Sequence, residues 1–212
     1  MKTRFEKVIT FIPLITNQTK LVISSFLVLL ALILCYVFPD AMDRKLCLLA
    51  MMISFLGDAA LNCMPLEKRP HSLLYTGAGF FMIAHLAYAF SYYLMIKQES
   101  FSILNHGAFF AIVFIVTLFM LTTITVVRTN QIPNKMVILV FSLYTLVIGI
   151  NFVTICSYSY SFGSISFIGA LSFLISDFII GIETLFKIKS DTLRKLVWIF
   201  YPIGQVLIIV CR

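Results

Sequence analysis

Charged side chains are scarce in this chain. Asp, Glu, Lys and Arg make up 12% of its 212 residues, and 61% of residues are apolar, whereas soluble domains are about a quarter charged. The mean hydropathy is +1.03. The shortage runs along the whole length, so no stretch of roughly 50 residues reads as a separate soluble domain. This excludes a globular protein with an anchor and leaves one polytopic membrane domain. Alternation of apolar and polar residues is also missing. Runs such as "GAFFAIVFIVTLFMLTTITVV" exclude the strands of a membrane β-barrel. The five cysteines (Cys35, Cys47, Cys63, Cys156, Cys211) are odd in number and contain no C-x-x-C pair. They read as small apolar fillers rather than a disulfide or zinc framework.

Seven apolar runs are long enough to cross a bilayer as helices: 21–38, 46–64, 73–95, 107–127, 136–156, 163–186 and 196–211. The expected fold is therefore all-α, with seven transmembrane helices in a single domain over 20–212; eight spans are the alternative. Residues 1–19 contain an apolar segment interrupted by Pro13 and too short to span. With Lys2, Arg4 and Lys7 they read as an amphipathic segment lying in the interface. The net charge of +7 would point to nucleic acid in a soluble protein. Here every Lys and Arg falls outside the seven runs, and 12 of the 16 lie on the side of the N-terminus. The positive-inside rule places that side in the cytoplasm and the C-terminus outside. No nucleic-acid partner is expected, and the compact chain reads as a bacterial inner-membrane protein.

Inside a membrane the informative residues are the ionisable ones, which cost at least about 2.5–3.5 kcal/mol to insert and face the bundle interior. Asp58 in the second run, His85 in the third and Asp177 in the sixth sit well within their spans. At about 1.5 Å per residue they lie roughly 9, 20 and 14 Å from the inner end, close enough in depth for one pocket. Glu183, in the same run as Asp177, is near enough to the end to reach water. Polar neighbours share the helical faces: Asn62 four after Asp58, Tyr88 three after His85, and Tyr201 with Gln205 in the last run. Tyr144 and Asn151 read as packing or interhelical hydrogen bonding, and the aromatic "FSYYLM" as an interfacial belt. His71 and His106 fall in loops on opposite sides, which excludes a three-histidine zinc site. The chain has no Walker loop, H-E-x-x-H or G-x-S-x-G. No metal or cofactor is expected.

Four stretches, "FLGDAAL" (55–61), "GFFMIAHLAY" (79–88), "FLISDFIIGI" (173–182) and "WIFYPIGQVLII" (198–209), resemble in order the motifs of the YhhN-type lysoplasmalogenase-like family. The resemblance covers residues from about 20 to the C-terminus. It implies a multi-span protein that hydrolyses the vinyl ether bond of lysoplasmalogens to a fatty aldehyde and a glycerophospho-alcohol, with a lysophospholipid as substrate and membrane lipids around it. It places Asp58, His85 and Asp177 on the family's polar motif positions, with Tyr88 and Gln205 beside them. The chain departs from the family's eight spans, and Leu21 follows Lys20 where the family tends to have proline.

The chemistry agrees with the residues. Vinyl ethers are cleaved by acid through an oxocarbenium ion, to which water adds. Two carboxyls close together in an apolar site share one proton and so provide one acid and one base, as in glycosidases. Asp58 and Asp177 form the expected catalytic pair, with either in either role. His85 orients a carboxyl or the water, and Asn62, Tyr88, Tyr201 and Gln205 line the substrate site. Two other classes use the same residues: a proton-coupled small-molecule transporter and a lipid-binding membrane protein without turnover.

Overall fold

The computed structural model describes residues 16–62, 71–98, 107, 110–111, 114–115, 135–185 and 190–212. Six helices are defined: α1 (Asn17–Val37), α2 (Met42–Asn62), α3 (His71–Gln98), α4 (Lys135–Phe162), α5 (Ser166–Leu185) and α6 (Asp191–Val210). No strand occurs among the described residues. Five of the helices are long and apolar enough to cross a membrane, and α5 has a shorter apolar stretch, Ser166–Gly181. The expectation of seven spans is therefore met only in part. The run 107–127 lies almost wholly outside the described residues, as does most of the 1–19 segment.

Where the helices depart from the apolar runs, local hydrogen bonding explains it. α4 continues beyond residue 156 through "SYSYSF". There Ser157, Ser159 and Ser161 each donate a hydroxyl to the carbonyl one turn back, at 2.8–2.9 Å, so their polar atoms are satisfied within the helix. Gly163, at φ 65°, takes the left-handed conformation open to glycine and turns the chain into α5. α6 starts five residues before its apolar run because Ser190 caps it, accepting from the Leu193 amide at 3.4 Å, with Asp191 in the positive first turn. α1 is likewise capped by Thr16, whose hydroxyl accepts from the Thr19 amide at 3.2 Å. Residues 17–19 thus belong to the first helix.

Successive helices pack side by side and α1 returns to α6, which leaves an enclosed interior. Outward faces carry apolar side chains such as Phe26, Leu32, Leu86, Leu146 and Ile203, as a lipid-facing surface requires. α5 and α6 approach at Gly169 and Gly204. A Cβ on Gly204 would lie 2.8 Å from the Phe173 amide nitrogen and 3.0 Å from the Gly169 carbonyl, so glycine here permits backbone-to-backbone contact.

The end of the bundle where α6 finishes is sealed by polar groups. The last carbonyls of a helix have no partner within it. Here the Ile208 carbonyl accepts from the Tyr92 hydroxyl (2.8 Å), that of Ile209 from Arg44 Nη1 (2.6 Å) and that of Cys211 from the Ser164 hydroxyl (2.5 Å). Arg212 donates to the Asp43 carbonyl at 3.0 Å, bonds Ser91, and lies over the Tyr92 ring at 4.8 Å. Tyr92 is thus a fully buried cap and not part of an interfacial belt. The sequence pattern misplaces it because adjacent Tyr93 does face outward.

Candidate functional site

Towards the opposite end of the bundle, the interior polar residues form two hydrogen-bonded groups. The first centres on Asp58 of α2, which is buried. Its Oδ2 accepts from the Ser24 hydroxyl of α1 at 2.5 Å and from the Tyr201 hydroxyl of α6 at 2.7 Å. One carboxyl oxygen thereby joins three helices. Farther along, the Tyr88 hydroxyl of α3 donates to Gln205 Oε1 at 2.7 Å and touches Met51 Sδ at 3.5 Å. Gln205 Nε2 is buried without a partner. Asn62 stands apart: its amide donates to the Asp58 backbone carbonyl of its own helix at 2.7 Å, and its carbonyl accepts from Asn17 of α1 at 3.2 Å. It closes the last turn of α2.

The second group centres on Asp177 of α5. Its Oδ2 lies 3.1 Å from His85 Nε2 of α3, and the Tyr144 hydroxyl of α4 is directed at the same carboxyl. The other imidazole nitrogen, Nδ1, lies 2.9 Å from Asn151 Nδ2 of α4. Edge-on contacts with Phe173 at 4.7 Å and Tyr144 at 6.0 Å hold the His85 ring. Phe173 also packs 5.4 Å from Tyr201, so these two rings lie between the groups.

A cavity of about 50 Å³ opens beside Asp177, walled by residues of α2 to α5 including Leu61, Ala78, Phe81, Phe141 and Tyr144. A water needs about 10–15 Å³ of such space, so the cavity has room for more than one small group. Among the described residues, Asp177 is its only charged wall. Phe81, on the same wall, meets the Tyr201 ring edge-on at 6.2 Å, which links the cavity to the Asp58 group. Phe141 fits over Gly181, where a Cβ would approach its ring to 2.3 Å.

Of the residues singled out from the sequence, Asp58 and Tyr201 come together, as do Asp177 and His85, and Tyr88 and Gln205. Asp177 alone of them lines this cavity. Sequence reasoning missed Ser24, whose signal was a serine pair inside the apolar "LVISSFLVLL". It assigned Asn151 to interhelical bonding, and the bond falls on His85. Glu183 does not simply reach water: Arg194 Nε of α6 lies 4.0 Å from its carboxyl. Among the described residues, no three His, Cys, Asp or Glu side chains converge as a metal site would require.

Helices of membrane-spanning length and composition, enclosing carboxyls and an imidazole bonded across helices, define a polytopic membrane protein with an internal polar site. The chain belongs to the YhhN family, whose family model matches residues 18–211. No curated protein and no solved structure matches it.

Proposed function

We propose that the protein is an integral membrane hydrolase of the lysoplasmalogenase type, cleaving the vinyl ether bond of a lysophospholipid to a fatty aldehyde and a glycerophospho-alcohol. The observation that carries this reading is the pair of carboxyls, Asp58 and Asp177, each buried, the first hydrogen-bonded by the Ser24 and Tyr201 hydroxyls and the second by the His85 imidazole. Two buried carboxyls in adjoining groups of one interior can supply one acid and one base to a substrate that reaches both. The cavity beside Asp177 offers room for the reacting carbons and a water, and its apolar walls suit the hydrocarbon chain.

In this reading one carboxylic acid protonates the outer alkene carbon and the second, ionised, takes a proton from the attacking water. His85 holds the carboxyl it touches, and Tyr88, Tyr201 and Gln205 shape the polar side of the site. The excess of Lys and Arg in loops on the N-terminal side supports a cytoplasmic N-terminus, with this site in the cytoplasmic half.

The test is to purify the protein, add a lysoplasmalogen and measure fatty aldehyde. Asp58→Asn and Asp177→Asn should each lower the rate at least about a hundredfold while eluting and melting as folded protein. Undiminished turnover in both variants would end the assignment. A folded wild type that releases no aldehyde but moves protons across liposomes when given a solute would be a transporter instead.

A further inference from the structure

The donor pattern around His85 separates the roles of the two carboxyls. Asn151 presents its side-chain nitrogen to His85 Nδ1 at 2.9 Å. An amide nitrogen only donates, so Nδ1 must accept and carries no proton. The neutral ring then has its proton on Nε2, which donates to Asp177 Oδ2 at 3.1 Å. The opposite amide orientation would leave the Asn151 NH2 buried without an acceptor. As it stands, the atom without a partner is Asn151 Oδ1, and unpaired buried oxygens are less rare than unpaired donors.

We propose that Asn151 is a positioning residue that fixes His85 as the Nε2–H tautomer, making Asp177 the proton acceptor of the reaction and Asp58 the proton donor. This rests on the hydrolase reading for the reaction itself but not for the tautomer. On Asp58 both donors, Ser24 and Tyr201, fall on Oδ2, so a proton on that carboxyl sits on Oδ1.

The steps then balance. The Asp58 proton goes to the outer alkene carbon, and the π electrons form the new C–H bond. The resulting oxocarbenium ion is attacked at its carbon by water, whose proton passes to the Asp177 carboxylate. The hemiacetal collapses as Asp177 returns that proton to the ether oxygen and the C–O bond breaks. Asp58 takes the hydroxyl proton as the carbonyl forms. Aldehyde and alcohol leave with both carboxyls in their starting states.

The experiment uses full-length protein with 15N-labelled histidine rings in lipid nanodiscs, the His85 signals being those lost in His85→Gln. The wild type should show a pyridine-type Nδ1 and a pyrrole-type Nε2. Asn151→Asp, of nearly the same shape, turns the partner from donor to acceptor and should place a proton on Nδ1, making that nitrogen pyrrole-type. It should also lower kcat about a hundredfold, as loss of a proton-transfer partner does, with KM changed less than about twofold. Asn151→Ser keeps a donor and should hold the wild-type pattern. A wild-type ring protonated on Nδ1, or on both nitrogens, overturns the proposal, as does Asn151→Asp with an unaltered ring. The resonances are read without substrate. A chain showing the Nε2–H ring but inactive on lysoplasmalogen would therefore refute the hydrolase reading and leave the tautomer assignment standing.

Discussion

At the scale of single residues, the decisive fact is what holds each carboxyl. Asp58 is held by two hydroxyls and Asp177 by an imidazole that is itself held by an amide. Interhelical hydrogen bonds in membranes contribute about 0.6 kcal/mol on average and at most about 1.7. Tyr201→Phe removes one donor from Asp58 while keeping the ring packed against Phe173 and Trp198. It should cost about 0.6–1.7 kcal/mol in detergent unfolding and slow aldehyde release. Combined with Ser24→Ala, the loss should depart from the sum of the single losses, because both donors share one oxygen. The sequence made the ionisable members of this site legible, since a charge in an apolar run stands out at any depth. It gave no comparable signal for Ser24, because a hydroxyl in a membrane helix usually bonds its own backbone, as Ser25 does with the Leu21 carbonyl at 2.8 Å. Which oxygen each partner would reach depended on helix rotation, which an apolar run does not encode.

At the scale of the elements, the site depends on how closely α5 and α6 approach. Gly169 and Gly204 bring their backbones together just above Phe173 and Tyr201, the two rings between the carboxyl groups. Gly204→Ala places a methyl group against the Phe173 amide nitrogen and the Gly169 carbonyl, neither of which can rotate away. The expected cost is about 1–3 kcal/mol, read as a lower unfolding midpoint, with catalytic loss beyond what stability alone explains. An unchanged midpoint would mean the two backbones are not in contact. For six of the seven runs helix existence was evident from run length, and the helix ends were not. α4 outlasts its apolar run because its serines satisfy themselves, and α6 begins early because Ser190 caps it. Both are decisions of local hydrogen bonding that a hydropathy pattern does not contain.

At the scale of the whole molecule, the bundle is closed at one end and opens a cavity towards the other. The closed end uses Tyr92, Arg44, Ser164 and Arg212 to satisfy the terminal turn of α6. The cavity lies near the ends of α2 and α5 and the starts of α3 and α4. On the proposed orientation, drawn from the charge asymmetry of the loops, this second side faces the cytoplasm. Fusion of alkaline phosphatase to the C-terminus should therefore give an active enzyme, and fusion of a fluorescent protein there a dark one. The reverse would invert the orientation. The membrane class was plain from charge scarcity. The division of the interior into two bonded groups was not, because residues that share a depth need not share a partner.

The most direct test of the whole account is the fate of one proton. Purified protein is equilibrated in D2O and given a lysoplasmalogen, and the aldehyde is trapped at once as an oxime for mass analysis. Protonation of the outer alkene carbon by an exchangeable carboxyl predicts one deuterium on the carbon next to the aldehyde. It also predicts that product formation collapses in Asp58→Asn. Aldehyde without deuterium, or undiminished deuterated aldehyde from Asp58→Asn, would contradict it.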